Sequence, residues 1–325
     1  MLTSKLPEYI EKMYEFQMEY PDEAFCPMFL SAPGIGKTQM INDFAKKRGV
    51  RVFHLILSQC NPSEVAGMIM PANDGSKMTE IYDPKWAHEL QEGDILFLDE
   101  ILKAPQSVLN SCLTMIEERR LSSNTKLPKV ALFAAANPSK SDASIPQEIR
   151  QRLVRVPLEF DKDAWSKYVV RTLGLNDNML GDYTVRLLAT RVSHELTDYE
   201  QRGTSVWNMA TPRTVYKALR MMMTCESKEE TLVYVKYMID NSNIVDFIGH
   251  MSEEYFKYKN KKPNPFTTRV YDELTHTLSP DDPTLTELAE LMEDDAGFVK
   301  LLQDVDLLDW VKDTLGSITV EYEED

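Results

Sequence analysis

The chain reads as an α/β domain built on a parallel sheet over residues 1–160, an all-α region over 161–260, and an acidic helical segment over 261–325. Three observations predict this. Through the first half, short apolar runs alternate with helical stripes, the pattern of parallel strands joined by helical crossovers. One run, Phe25 to Leu30, leads into a glycine-rich turn and then a helix. After about Phe160 the strand-like runs stop, and helical patterns separated by short polar breaks take over.

Taken in order, Leu6, Tyr9, Ile10, Met13 and Tyr14 fall at helical spacing in a run ended by Pro21. The helix after the glycine turn carries Met40, Ile41 and Phe44 on one face and stops at Gly49. Arg51 to Ser58 is strand-like, and Ala66 to Asp83 holds short apolar pieces broken by Asn73-Asp74-Gly75, a hairpin signal. Trp86 to Glu92 leads into Ile95-Leu96-Phe97-Leu98, a buried parallel strand by composition. Val108, Leu109, Cys112, Leu113 and Ile116 make a helical stripe, and Lys129 to Ala136 is a further strand, ended by Asn137-Pro138. In the second half one helix is expected to begin with Thr211 as N-cap and Pro212 in the first turn, burying Val215, Leu219 and Met222. Met221-Met222-Met223 reads as adaptable core packing, and Lys257 to Lys262 as a solvated loop. Beyond Asp281 acidic residues crowd a leucine-bearing helical pattern with a frayed end.

Composition narrows the function classes. The apolar fraction of 43% is that of a globular chain, and no apolar run reaches membrane-spanning length. The N-terminus is acidic and amphipathic, unlike a signal peptide. Cys26, Cys60, Cys112 and Cys225 are scattered and read as buried thiols of a reducing cytoplasm. The five histidines are equally dispersed, so no zinc site is expected. A net charge of −16 argues against a broad, passive nucleic-acid surface, although a local basic pore in a ring would evade that argument.

The chemistry concentrates in Ser31-Ala32-Pro33-Gly34-Ile35-Gly36-Lys37-Thr38. Strand, glycine-rich turn and helix in that order are the setting of a phosphate-binding P-loop. Gly34 and Gly36 let successive N–H groups face one anion at a helix N-terminus, and Lys37 can reach the phosphates. Pro33, Gly34, Ile35, Gly36, Lys37, Thr38 and Gln39 form the expected nucleotide cradle. Ser31 occupies the place where the usual pattern opens with glycine. Downstream, Asp94-Ile95-Leu96-Phe97-Leu98-Asp99-Glu100 has the form of a Walker B strand, an apolar run delivering two carboxylates at its mouth. Asp99, with the Thr38 hydroxyl, is the expected magnesium holder, and Glu100 is placed to orient and polarise water. Asn137 ends a strand expected between the Walker B strand and the P-loop, where its amide can meet the γ-phosphate or the attacking water. Arg150 and Arg152 are both candidates for an arginine finger, and Arg213 can fold onto the phosphates from the second domain.

In these residues the chain resembles an AAA+ ATPase of the MoxR family. The resemblance runs from about Phe25 to Leu158, with Ala210-Thr211-Pro212-Arg213 added. Asp99-Glu100-Ile101-Leu102-Lys103-Ala104-Pro105 is similar to the family's Asp-Glu-Ile-Asn-Arg-Ala-Pro, departing at Leu102 and Lys103. Met115-Ile116-Glu117-Glu118-Arg119 loosely matches its Met-Glu-Glu-Arg stretch. Asn137-Pro138 falls at sensor 1 and Thr211-Pro212-Arg213 at sensor 2, and Pro62 to Gly67 is similar to the approach to the helix-2 insert. The register over Ile145 to Leu153 puts Arg152 at the finger position, with Arg150 as rival. The resemblance implies ATP and Mg2+ as ligands, a nucleotide-binding domain with an all-α lid, and a ring, usually of six subunits, with the finger supplied in trans. It also implies a protein client or partner, often one with a von Willebrand factor A domain. A DNA-directed motor and a nucleotide-dependent assembly scaffold are the alternatives. The acidic C-terminal region is the candidate docking surface on composition alone.

Overall fold

Five apolar stretches pair side by side, all in parallel, in a computed structural model that describes residues 1–260 except 24, 74, 75, 77, 138–146, 176–178 and 203–207. In chain order they are β1 (Cys26–Leu30), β2 (Val52–Ile56), β5 (Ile95–Asp99), β6 (Ala131–Ala136) and β7 (Leu153–Pro157), and across the sheet the order is β2-β5-β6-β1-β7. The strands at the centre are the most apolar: every residue of β1 and β6 is buried, as are Ile95 to Leu98 of β5. Phe29 of β1 stacks on Phe133 of β6 with centroids 5.8 Å apart, both fully buried. Strands buried on both faces need apolar side chains at every position, which is why these runs do not alternate.

Helices cover the sheet. They are α1 (Leu6–Glu19), α2 (Lys37–Arg48), α3 (Pro62–Ala66), α4 (Lys85–Glu89), α5 (Gln106–Glu118) and α6 (Gln147–Arg152). The core face of α2 is Ile41, Phe44 and Ala45, and Gly49 ends it at φ 75, a left-handed cap that glycine adopts without a Cβ penalty. Helix α1 does more than pack. Its buried Gln17 accepts from the Leu132 N–H and donates to the Leu132 carbonyl, so a side-chain amide continues the β6 ladder just below the first paired residue of β1.

Strand β7 is not among the strands read from the sequence. Arg155 and Pro157 interrupt its apolar character, and it lies at the sheet edge beside β1, where such residues are tolerated. Between α3 and α4 stands a separate antiparallel hairpin, β3 (Met68–Pro71) and β4 (Thr79–Tyr82), exposed at every position. Its base is tied down: Asp83 accepts from Ser123 and Thr125, and Trp86 Nε1 donates to the Glu64 carbonyl at 2.8 Å. Asp74 and Gly75 of the expected turn lie outside the described residues.

The chain divides into two compact units, Met1–Phe160 and Asp161–Asp325. The described part of the second is helical: α7 (Lys162–Leu173), α8 (Met179–Arg202), α9 (Pro212–Met222), α10 (Lys228–Val235) and α11 (Ser242–Asn260). Its helices start on side-chain caps, Asp161 for α7, Thr211 for α9 and Ser227 for α10. Val215, Ala218, Leu219 and Met222 bury one face of α9. Of the three consecutive methionines only Met222 is buried. The backbone of α11 runs helically to Asn260, so the start of the basic run expected as a loop is helix. The acidic segment from 261 onward lies outside the described residues. No helix among the described residues is long and apolar enough to cross a membrane.

Candidate nucleotide site

The site forms where β1, β6 and β5 end side by side, because the sheet order sets their carboxyl ends next to one another. From β1 the chain turns through Gly34 at φ 79 and Gly36 at φ 103 into α2. Gly36 is the N-cap, so Lys37, Thr38 and Gln39 occupy the first turn, whose N–H groups have no intrahelical acceptors. Left-handed backbone at both glycines carries the chain from the strand into the helix, whose N-terminus adds positive partial charge. Pro33 and Ile35 shape the loop between them, with Ile35 buried. The Gln39 side chain is exposed and bonded to Asp43.

Lys37 is held from two sides. Its Nζ donates to Ser31 Oγ at 2.8 Å and to Asn137 Oδ1 at 2.6 Å, with the Ser31 and Ala32 carbonyls at 3.3 and 3.4 Å. Serine in place of the motif's first glycine therefore supplies a hydroxyl acceptor to the ammonium. Asn137, one residue past β6, meets Lys37 across the strand boundary, which is where the sheet order places it.

The two carboxylates at the end of β5 diverge in environment. Asp99 Oδ1 accepts from the Glu100 N–H at 2.9 Å, and Oδ2 lies 3.1 Å from Thr38 Oγ1 and 3.0 Å from His54 Nε2. Burial alone would raise its pKa, but the bonds from His54, the Glu100 amide and Thr38 outweigh that and hold it below the ordinary aspartate value. Glu100 takes a left-handed backbone at φ 53. Its carboxylate is bonded by the Ser58 hydroxyl and by Lys103 Nζ at 3.1 Å. The Ser58 bond outweighs burial and, with the Lys103 charge, keeps the Glu100 pKa below the ordinary glutamate value. Both acids are thus ionised at neutral pH. A hydroxyl and a carboxylate oxygen 3.1 Å apart are hard ligands of the kind magnesium takes, so Thr38 and Asp99 fit that ion.

The segment bearing these groups, residues 28–153, matches the family described as AAA domain (dynein-related subfamily). Its parallel α/β sheet with a P-loop is the AAA+ fold. Two uncharacterized proteins of Methanocaldococcus jannaschii, MJ0079 and MJ0812, are 31% and 30% identical over 116 residues. In each case the shared stretch is 34% of this chain and 30% of the relative, so the chain spans less than a third of their length. Among solved structures, a point mutant of RuvB from Thermotoga maritima is similar at TM-score 0.49 and 15% identity, over 94% of this chain and 82% of that one.

Within the AAA+ domain the structure joins Lys37, Thr38, Asp99, Glu100 and Asn137. Arg152 lies apart from them, bound to Glu117 of α5 through Nε at 2.7 Å and through Nη2, and to the Glu148 carbonyl at 2.7 Å. Arg150, on the same helix, is exposed. Arg213 belongs to the second unit, exposed in the first turn of α9. His54, Ser58, Lys103 and Glu117 are partners of site residues that the sequence reading did not select. Lys103 and Glu117 both lie in stretches similar to the family pattern, Lys103 as a departure from it; His54 and Ser58 carry no local signal. Cys26, Cys112 and Cys225 are buried, whereas Cys60 is half-buried, which corrects the expectation that every thiol is interior.

Proposed function

We propose that this chain is the ATP-hydrolysing subunit of a MoxR-like ring that remodels or activates a protein client. The observation that carries the ATP-hydrolysing part is the convergence of Lys37, Thr38, Asp99, Glu100 and Asn137 at the ends of three adjacent strands. In this reading the P-loop amides and Lys37 bind the phosphates, and Asn137 keeps the ammonium aimed. Thr38 and Asp99 would hold magnesium, which supplies charge neutralisation at the phosphates when bound. Glu100 orients and polarises the attacking water. Arg152, released from Glu117, acts as the finger on a neighbouring subunit's nucleotide, and Arg213 is a second cation for the phosphates.

The β3–β4 hairpin supports a protein rather than a nucleic-acid client. Met68, Ile69, Met70, Met78 and Ile81 are 53, 68, 43, 63 and 37% exposed on an element whose base is clamped. Apolar surface of that kind on a fixed projection marks a site for apolar partners, and methionine adapts to varied ones. The stretch from Met68 to Tyr82 holds a single basic residue, Lys77, which is too little charge for phosphate backbones.

The test is ATP turnover by the full chain against protein concentration, with an unfolded apolar polypeptide, single-stranded DNA or duplex DNA added. Specific activity that rises with protein concentration, and again with polypeptide, supports the reading. Stimulation by DNA alone would replace the client by a nucleic acid. Nucleotide-dependent oligomers with negligible turnover would leave a scaffold.

A further inference from the structure

The metal-holding carboxylate has a partner from a strand that the P-loop and Walker patterns do not include. His54 lies on β2, at the sheet edge, directly opposite Phe97 of β5 in the parallel register, while Ile56 is opposite Asp99. The imidazole packs on the Phe97 ring with centroids 5.1 Å apart, so its strand neighbour sets the ring plane. From there Nε2 reaches forward to Asp99 Oδ2 at 3.0 Å. That oxygen also takes the Thr38 hydroxyl at 3.1 Å, and the other oxygen takes the Glu100 amide at 2.9 Å. The carboxylate is therefore pinned at both oxygens, and only the His54 bond comes from outside the P-loop and Walker segments.

We propose that His54 is a positioning residue of the metal site: through its bond to Asp99 Oδ2 it fixes the carboxylate in the orientation that, with Thr38, receives the divalent ion. The proposal rests on the reading of Asp99 as the metal carboxylate. Without His54, Oδ2 keeps only the Thr38 hydroxyl, itself a rotor, so the carboxylate turns more freely about its terminal torsion, which is broad and soft. Fixing that torsion in advance removes an ordering cost from metal binding. Partners that orient metal ligands in this way are worth about 10–100-fold in metal affinity when removed. His54 does not touch the phosphates in this account, so its effect is confined to the metal-dependent part of nucleotide binding.

The experiment uses the full chain and a fluorescent ATP analogue, titrated first in EDTA and then against Mg2+. In His54→Ala, binding in EDTA should equal wild type, because the P-loop and Lys37 are intact, while the Mg2+ needed for half-saturation rises about 10–100-fold. His54→Gln, whose amide N–H can reach the same oxygen, should recover most of the loss. In an Asp99→Asn background His54→Ala should add nothing, since a residue acting through Asp99 has no second route. Mn2+ bound with the nucleotide should show no directly bonded imidazole nitrogen in its electron-spin-echo spectrum. An unchanged Mg2+ half-saturation in His54→Ala overturns the proposal, as does an equal loss in EDTA, which would make His54 a fold residue. A manganese-bonded nitrogen lost in His54→Ala overturns it too, by making His54 a ligand. If instead Asp99→Asn keeps the wild-type Mg2+ dependence, the reading of Asp99 itself fails, a result separate from any His54 outcome.

Discussion

Replacing Asn137 by aspartate changes one atom of the site and nothing of its shape, and it tests whether Lys37 is the cation that meets ATP. The Lys37 ammonium is 2.6 Å from Asn137 Oδ1, an amide oxygen that aims the side chain without neutralising it. Asn137→Asp puts a full negative charge at that distance. Two unit charges at about 4 Å attract by about 4 kcal/mol at an effective dielectric constant near 20. The pair is partly exposed, so screening and water cut the net gain to about 1 kcal/mol. The phosphates must then win the ammonium away from a carboxylate, and ATP affinity falls about fivefold, since about 1.4 kcal/mol is tenfold. Asn137→Ala loses the aiming bond but adds no competitor, so its binding should stay within about threefold of wild type while turnover drops. Fluorescent-nucleotide titration without metal, at low and high salt, reads this directly. The penalty in the aspartate variant should shrink as salt rises, because it is Coulombic. Wild-type affinity in Asn137→Asp would show that the Lys37–Asn137 contact is no part of phosphate binding.

Glu100→Gln should keep ATP affinity and stop turnover, measured by pairing nucleotide binding with phosphate release; turnover at the wild-type rate would reduce Glu100 to the ion pair it makes with Lys103. Arg152→Ala should bind ATP nearly normally and hydrolyse it about 10³-fold more slowly, and mixing with excess Lys37→Ala subunits should restore some activity by pairing an intact P-loop with an intact finger. A fully active Arg152→Ala beside an inactive Arg150→Ala would move the finger by two residues and leave Arg152 as the Glu117 clamp between α6 and α5. Burial pushes the Cys26 and Cys112 thiols up to about 12, so at pH 8 both stay protonated in the folded chain. Alkylation followed by mass spectrometry should label the half-buried Cys60 first and reach Cys26 and Cys112 only on unfolding; early labelling of Cys26 would contradict the packing of β1.

What the sequence determined by itself is what neighbouring residues in the chain decide together. Phe25 to Leu30, the glycines at 34 and 36, and Lys37-Thr38 form strand, turn and helix within one short stretch, and each step follows from local sterics and burial. The same holds for the apolar run that delivers Asp99 and Glu100, and for the Thr211 cap that starts α9. Strand β7 escaped because an edge position allows Arg155 and Pro157, which erase the local pattern. The tertiary structure decided which of these ends meet. Lys37 and Asn137 are 100 residues apart, His54 and Asp99 are 45, Ser58 and Glu100 are 42, and each pair exists only because of the order β2-β5-β6-β1. Periodicity records that a side chain is buried or exposed, not what it is buried against. For that reason the stretch around Glu117 does not name its partner until α5 and α6 pack and set it against Arg152.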